Sequence, residues 1–249
     1  MIRNIYSKFI FFFVYNKFYR RRILNLFLGL FGLKLSRKAV SVIQYGFSHG
    51  ADYSLVMIGA HNGKKTTQLV NDALKFGKVC LVEPVPYLFN QLLDRYKGRD
   101  GICLINKCIT STETTFVDFY ATSQASNKVA IYGDQLGSLN SQHAKNHDIR
   151  FEEFVKKIRV PALTVAKLLT EQNCSKIDCL YLDTEGSDVQ ILLSFPFNVV
   201  KPKTIVFEHL HTDGTGIVGN NFLSIIKFLK SEGYKISRSD SENALATLC

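Results

Sequence analysis

The sequence predicts an α/β fold in which a mostly parallel sheet is covered by helices on both faces. From Asp52 onward, short apolar runs of strand length alternate with helical stretches, which is the pattern of such a sheet. The predicted parallel strands also end in loops that carry polar groups. The composition agrees, since 46% hydrophobic and 21% charged residues with only 5 Pro describe a globular chain and exclude a disordered one.

Six elements are predicted in the first part of this body. Helical spacing places Leu88, Leu92 and Tyr96 on one helix face, and uninterrupted apolar runs predict strands. Residues 116–120 alternate as an edge or hairpin strand would, and the polar residues 121–157 predict an excursion with a short helix that forms a lid or an acceptor wall. The other elements, in chain order, are a strand at 54–58, a helix at 64–76, a strand at 78–82, a helix at 87–96 and a strand at 101–105.

The second part of the body continues the alternation. We expect, in chain order, a helix at 164–171, a strand at 177–182, a helix at 187–195, a strand at 204–207, a helix near 222–232 and strands around 234–237 and 244–248. The carboxyl ends of parallel strands meet at one edge of a sheet, where ligands of such folds bind. We therefore expect a site built from five loops, those after Ile58, Val82, Ile105, Leu182 and Phe207.

Residues 1–40 form a separate basic and aromatic arm, which we expect to be helical, ahead of a domain at 41–249. Residues 1–51 hold nine basic side chains and no acid, whereas the remainder holds 22 basic and 21 acidic groups. The near-neutral body argues against nucleic-acid binding. The apolar runs within residues 1–33 fall short of the about 20 residues that span a bilayer. The arm contacts an anionic membrane surface, packs on the domain or, as a third alternative, anchors the protein in the membrane.

The six cysteines form no CxxC pair, which indicates neither a zinc ribbon nor a disulfide scaffold. We therefore expect reduced thiols and a cytoplasmic protein, peripheral on the inner membrane face if the arm binds there.

A glycine loop follows the first predicted strand. Gly59 and Gly63 let the backbone approach a ligand closely and leave N–H groups free at the start of a helix. A dinucleotide fingerprint would need glycine at 61 and Gly or Ala at 64, where His61 and Lys64 stand. Glu83 ends the next strand, where a carboxylate can accept hydrogen bonds from both ribose hydroxyls. The two features together predict a cofactor that contains adenosine with an unphosphorylated ribose.

Acidic side chains end the later strands. Asp183 and Glu185 close the strand at 177–182, and Glu208 and His211 end the next strand beside them. Partial burial would raise the pKa of these carboxyls, so that one could act as a general base or hold a substrate hydroxyl. The alternative is that the acids of the first pair only cap the following helix.

Carboxylates and imidazoles also suit a divalent metal, but these segments show no recognisable ligand spacing, and we predict no metal. His143 and His147 would share a helix face, and without a third partner we interpret them as a surface pair.

Three segments resemble the FkbM-type methyltransferases: Val56–Gly63 (VMIGAHNG), Val82–Phe89 (VEPVPYLF) and Ile177–Gly186 (IDCLYLDTEG). The resemblance runs from about Tyr53 to the C-terminus. It implies the Rossmann-like, seven-stranded class I methyltransferase fold and S-adenosylmethionine as cofactor. Gly59, Ala60, His61, Asn62 and Gly63 would then face the methionine part of the cofactor, Glu83 beside Pro84 would hold the ribose, and Asn106 would approach the adenine.

The resemblance further implies O-methylation of a hydroxyl on a sugar, a glycan or a secondary metabolite. Asp183 is the candidate that orients or deprotonates this acceptor, and Glu185, Glu208 and His211 are its alternates. Met57 stands where most class I enzymes carry an acid. A non-catalytic membrane-surface protein that keeps the fold is therefore one alternative, and a nicotinamide-dependent oxidoreductase is another.

Overall fold

The computed structural model describes residues 44–209, 211–212, 219–238 and 242–249. The basic aromatic arm at residues 1–40 lies outside this part of the chain, and so do its predicted helices and membrane contact. The longest helix of the described part has 12 residues. Within the same part, every helix is too short or too polar to cross a membrane.

Ten strands form two sheets. In chain order they are β1 (Tyr53–Ile58), β2 (Lys78–Val82), β3 (Ile102–Ile105), β4 (Cys108–Thr110), β5 (Phe116–Thr122), β6 (Val155–Thr164), β7 (Ile177–Leu182), β8 (Thr204–Glu208), β9 (Tyr234–Arg238) and β10 (Asn243–Leu248). The large sheet has seven strands in the order β3-β2-β1-β7-β8-β10-β9, and the small sheet has the order β4-β6-β5. In the large sheet only β10 runs antiparallel to its neighbours. The predicted seven-stranded, mostly parallel sheet is confirmed.

Six α-helices connect these strands: α1 (Thr67–Ala73), α2 (Pro86–Tyr96), α3 (His143–His147), α4 (Val165–Glu171), α5 (Asp188–Leu193) and α6 (Asn220–Ser231). Short 3-10 helices at Gln124–Lys128, Gly133–Gln135 and Ile149–Phe154 complete the connection from β5 to β6.

Helices cover both faces of the large sheet, as the sequence predicts. Side chains of a strand point alternately to its two faces. Accordingly Val56 and Ile58 of β1 pack with buried residues of α4, α5 and α6. Leu55 and Met57 pack on the opposite face with buried residues of α1 and α2. β1 thus lies between two apolar layers, and its carboxyl end is held rigidly at the middle of the sheet.

Three elements of the structure differ from the prediction, and one of them is the short strand β4, which the sequence analysis did not predict. The helix expected at 64–76 is confined to Thr67–Ala73, because turns occupy residues 61–66. The sequence also hid β6, which pairs antiparallel with β5 along Val155–Pro161 and parallel with β4 along Ala162–Thr164. Its exposed lysines and Pro161 make the sequence of β6 resemble that of a polar loop, although Val160 and Leu163 are buried. The excursion is therefore the connection between two paired strands and not a free loop.

The ends of β1 and β7 approach each other closely at Gly59. The amide of Asp183 donates a hydrogen bond of 3.0 Å to the carbonyl of Ile58. Gly59 has a φ of +86°, and a Cβ there would lie 1.8 Å from the carbonyl oxygen of Asp183. Because real Cβ atoms do not come that close to oxygen, only glycine allows this junction.

Substitution of Gly59 should therefore lower the free energy of unfolding by more than the conformational penalty of replacing a glycine that has a positive φ. Gly98 has a φ of +69° with no atom within 4 Å of an added Cβ, so Gly98→Ala costs only the conformational penalty of about 1–2 kcal/mol. Gly59→Ala should cost at least about 2 kcal/mol more, because the Asp183 carbonyl must move. Urea denaturation of both variants measures the difference. An equal loss of stability in the two variants would contradict the close approach.

Candidate functional site

A cleft lies at the carboxyl ends of β1, β2 and β7. It has a volume of about 880 Å³, including space open to solvent. Of the eight predicted cofactor residues, seven line the cleft, and they are Gly59, Ala60, His61, Asn62, Gly63, Glu83 and Pro84. The structure thus brings the glycine loop and the end of β2 together.

Glu83 fixes the shape of this cleft. Its Oε2 accepts a hydrogen bond of 2.8 Å from the His61 amide, and its Oε1 accepts one of 2.9 Å from the Val85 amide. The side chain is 4% exposed. Burial raises the pKa of Glu83 to about 7, although the two hydrogen bonds favour the charged form. A carboxylate has about four acceptor positions, so both oxygens can still accept from a ligand.

Asn106 does not line the cleft. Its Nδ2 donates hydrogen bonds of 2.8 Å and 3.1 Å to the carbonyls of Glu83 and Pro84. It therefore holds the turn after β2, while the neighbouring Lys107 contributes to the cleft wall. Contact of this region with adenine stays a prediction. Met57 is 1% exposed and lies in the core, and its side chain does not line the cleft.

Asp183 follows β7 and opens into the cleft. Its carboxylate has no hydrogen-bond partner within the described residues, and the residue is exposed. Partial desolvation by the surrounding protein, together with the charges of Glu185 and Asp188, raises the pKa of Asp183. Because water of the open cleft still reaches the group, we expect the rise to be fullest when a ligand fills the site.

Asp188 joins the ends of β7 and β8, a role that the sequence did not reveal. It is 3% exposed, its Oδ1 accepts from the Thr184 amide at 3.0 Å, and its Oδ2 accepts from the Glu208 amide at 2.8 Å. Helix α5 starts at this residue, with Ser187 at the cap. The first acids of the segment therefore do not cap the helix, and Asp188 instead sets the spacing between Glu185 and Glu208.

Three histidines surround Glu185 and Glu208. The Nε2 atom of His143 lies 2.7 Å from Glu185 Oε2. His211 Nε2 lies 3.3 Å from Glu208 Oε1 and 3.8 Å from Glu185 Oε2. The imidazole rings of His143, His147 and His211 are 4.6–5.1 Å apart, measured between centroids. We call these five residues the His/Glu cluster.

The prediction of a surface histidine pair is thus wrong. His143 is 5% exposed and has the partner that the sequence did not show, namely Glu185. The local signal was limited to the spacing of His143 and His147 on one helix face. Glu185 follows β7, and Glu208 lies at the end of β8. No local sequence pattern could show that these segments meet the histidine helix.

Burial keeps the His/Glu cluster largely uncharged. It raises the pKa of Glu185 to about 8 and, together with neighbouring carboxylates, that of Glu208 to about 10. It lowers the pKa of each of the three histidines to about 4. Near neutral pH the imidazoles are therefore neutral, and the two carboxyls tend to keep their protons.

A second cleft of about 1240 Å³, again counting open space, lies beside the first. Both clefts are lined by Glu185, Ser187, Ile109 and Leu139, so Glu185 stands at their junction. Most of the remaining polar lining is neutral and consists of Thr110, Ser111, Thr112, Thr114, Ser138, Asn140, Asn146, Gln190 and Thr212. The sequence did not point to this cleft.

The excursion between β5 and β6 forms a wall of both clefts. Asp134, Gln135 and Gly137 line the first cleft, and Asn140 lines the second. The hydroxyl of Ser138 donates a hydrogen bond of 2.8 Å to the backbone carbonyl of Glu185. The excursion is thus fastened to the junction. Its function as a lid or an acceptor wall stays a prediction.

The pKa of Glu83 makes stability depend on pH. Its folded pKa of about 7 lies above the ordinary 4.5, so the folded state keeps a proton that the unfolded state loses. The free energy of unfolding should fall as pH rises from 4.5 to about 7, by about 3 kcal/mol relative to Glu83→Gln, which cannot ionise. Urea unfolding of both proteins across this range measures the difference. Parallel pH profiles would contradict the raised pKa.

Solved structures of methyltransferases are similar to this chain at low identity. A putative caffeoyl-CoA O-methyltransferase from Staphylococcus aureus has 9% identity and a TM-score of 0.45, with 92% of this chain and 91% of that chain covered. Precorrin-6y C5,15-methyltransferase from Geobacter metallireducens GS-15 has 11% identity and a TM-score of 0.42, with coverage of 86% and 88%. Fibrillarin from Aeropyrum pernix, with natively bound S-adenosyl-L-methionine, has 12% identity and a TM-score of 0.42, with coverage of 84% and 73%. Similarities this low say nothing about the acceptor.

Among curated proteins no sequence matches the chain. Among protein families, residues 58–236 match the Methyltransferase FkbM domain. The match includes the glycine loop, the end of β2, the excursion and the carboxyl ends of β7 and β8, which together build both clefts. The chain belongs to the FkbM methyltransferase family, and its cofactor is S-adenosylmethionine.

Proposed function

We propose that the protein methylates a hydroxyl of a sugar, a glycan or a similar polyhydroxylated metabolite. The observation that carries this proposal is the second cleft, which adjoins the cofactor cleft at Glu185 and is lined mostly by neutral hydroxyl and amide side chains. Such side chains both donate and accept hydrogen bonds, as a polyol does. The family assignment argues against the alternative of a nicotinamide-dependent oxidoreductase.

The residues of the first cleft fit S-adenosylmethionine. Gly59 and Gly63 give a turn that a ligand can approach closely, and Glu83 offers a buried carboxylate at the end of β2 for the ribose hydroxyls. When bound, this cofactor supplies a methyl group activated on a positively charged sulfonium. The contributions of the protein are then alignment of the acceptor and removal of the hydroxyl proton.

Asp183 is our candidate for the group that takes this proton. It opens into the cofactor cleft, and the described residues leave its carboxylate free of hydrogen bonds. The raised pKa brings the carboxylate closer to the operating pH, which favours general-base action. Glu185, Glu208 and His211 remain alternates, but their contacts with one another tie them to the His/Glu cluster.

Labelled methyl transfer tests the proposed reaction. The full chain is incubated with methyl-labelled S-adenosylmethionine and a panel of monosaccharides, oligosaccharides and lipid-linked sugars, with amines as controls. We expect labelled products whose NMR spectra show an O-methyl group. Methylation of amines alone would contradict the proposal. Calorimetric binding of the cofactor without transfer to any sugar would favour the non-catalytic alternative, and NAD serves as the binding control.

Asp183→Asn tests the proposed base. The change keeps the shape of the side chain and removes its basicity, so turnover should fall by at least about 100-fold while cofactor affinity changes little. Wild-type turnover should decline as pH falls through the raised pKa of Asp183, and the variant should lose this dependence. Asp118→Asn is the control, since Asp118 is exposed and pairs only with Lys157 on the surface. Full turnover in Asp183→Asn would exclude Asp183 from the reaction.

A further inference from the structure

We propose that the His/Glu cluster is a binding site for a divalent transition-metal ion, held by His143, His147, Glu185, Glu208 and His211 at the junction of the two clefts. Nothing in the family assignment requires this site. The proposal rests on the geometry of the donor atoms, on buried donors without partners, and on the chemistry of the donor set.

The donor atoms converge around Glu185. His143, His147 and Glu185 each offer a ligand atom within 4.8 Å of the others, and Glu185, Glu208 and His211 do the same. Zinc–ligand bonds of about 2.0–2.2 Å would place ligand atoms about 3–4 Å apart. Small side-chain rotations would therefore bring these atoms into coordination distance. Because Glu185 belongs to both groups, it marks the centre of the site.

The cluster also contains buried donors that have nothing to bind. Within the described residues, Nε2 of His147, Oε2 of Glu208 and Nδ1 of His211 have no hydrogen-bond partner. The side chain of His211 is 8% exposed and that of Glu208 is 10% exposed. Orphaned buried polar groups are costly, at about 1–3 kcal/mol each. A cation coordinated by the cluster would satisfy the Glu208 oxygen and the His147 nitrogen, and His211 would bind it through Nε2, the nitrogen that faces both carboxylates.

The donor set indicates the class of metal. Imidazole nitrogen with carboxylate oxygen suits Zn²⁺, Fe²⁺ or Co²⁺, whereas Mg²⁺ prefers oxygen ligands and keeps several waters. Two ionised carboxylates and three neutral imidazoles carry a formal charge of −2, which one divalent ion neutralises. The ion would replace two protons, the one that His143 and Glu185 now share across 2.7 Å and the one that the Glu208 carboxyl keeps, and both would be released to solvent.

The sequence predicted no metal because the carboxylates and histidines show no recognisable spacing of metal ligands. That argument fails because the ligands come from α3, from the loop after β7 and from the loop after β8. Within any one of these segments the spacing is uninformative, and only the tertiary fold assembles the set.

The position also suggests what the ion does. His143, Glu185 and His211 line the second cleft, so the ion would face the acceptor side of the site. This consequence rests on the proposed O-methylation. A metal-bound hydroxyl has a lowered pKa, which would ease transfer of its proton to Asp183. Binding of the ion itself does not depend on that function.

Metal titration of the tag-free full chain tests the site. The protein is stripped with a chelator and titrated with Co²⁺ and Zn²⁺, and Mg²⁺ serves as the control ion. We expect visible d–d absorption bands for Co²⁺ that Zn²⁺ abolishes, and no displacement by Mg²⁺. Glu185→Gln and His147→Ala should each weaken binding by at least about 100-fold, since even outer-sphere changes cost about 10–100-fold. His49→Ala is the matched control, because His49 stacks on Phe76 outside the cluster.

Absence of Co²⁺ bands in the wild type, or equal affinity in His147→Ala and His49→Ala, would overturn the proposal. His147→Ala removes a ring whose Nε2 has no partner, so it should fold normally, and circular dichroism with cofactor titration verifies this. These measurements need no acceptor. Metal binding without O-methylation would contradict only the proposed reaction. O-methylation without metal binding would contradict only the proposed metal site.

Discussion

The site depends on the close approach of β1 and β7 at the middle of the sheet. Gly59 leaves β1 with no side chain and packs against the carbonyl of Asp183 at the end of β7. This contact directs the glycine loop to one side and the acidic segment to the other. The amide of His61 then reaches Glu83 on β2, and Asp188 ties the acidic segment to β8. Four strand ends are thus held together by hydrogen bonds, some between backbone groups and some from backbone amides to the carboxylates of Glu83 and Asp188, and the first cleft lies at three of these ends, those of β1, β2 and β7.

Periodicity predicted the large sheet well because its strands are apolar and buried on both faces. It failed at β6, where Lys156, Lys157 and Arg159 are exposed and fully buried residues begin only at Val160. Most of the predicted cofactor residues follow strand ends, so topology alone places them at the first cleft. The role of Asn106 was missed because its amide bonds the local backbone. The second cleft and the His/Glu cluster need the path of the excursion, which no short-range pattern contains.

The excursion gives the site a feature that the sheet alone lacks. The sheet contributes Glu185 and Glu208, and the excursion contributes His143 and His147 from a helix of only five residues. The burial that holds these groups together also suppresses their charges. The His/Glu cluster is therefore a buried polar network shared between the large sheet and the excursion. It is rigid only where both of them supply hydrogen-bond partners.

The hydrogen bond from Ser138 to Glu185 has a consequence for how relatives of this chain diverge. A change near Ser138 or His143 disturbs the junction itself, and with it the cofactor side. The loop from Thr110 to Thr114 lines the second cleft, and its side chains form hydrogen bonds to the backbone and none to Glu185 among the described residues. We expect new acceptors to be acquired during evolution through this loop, while the wall formed by the excursion changes little.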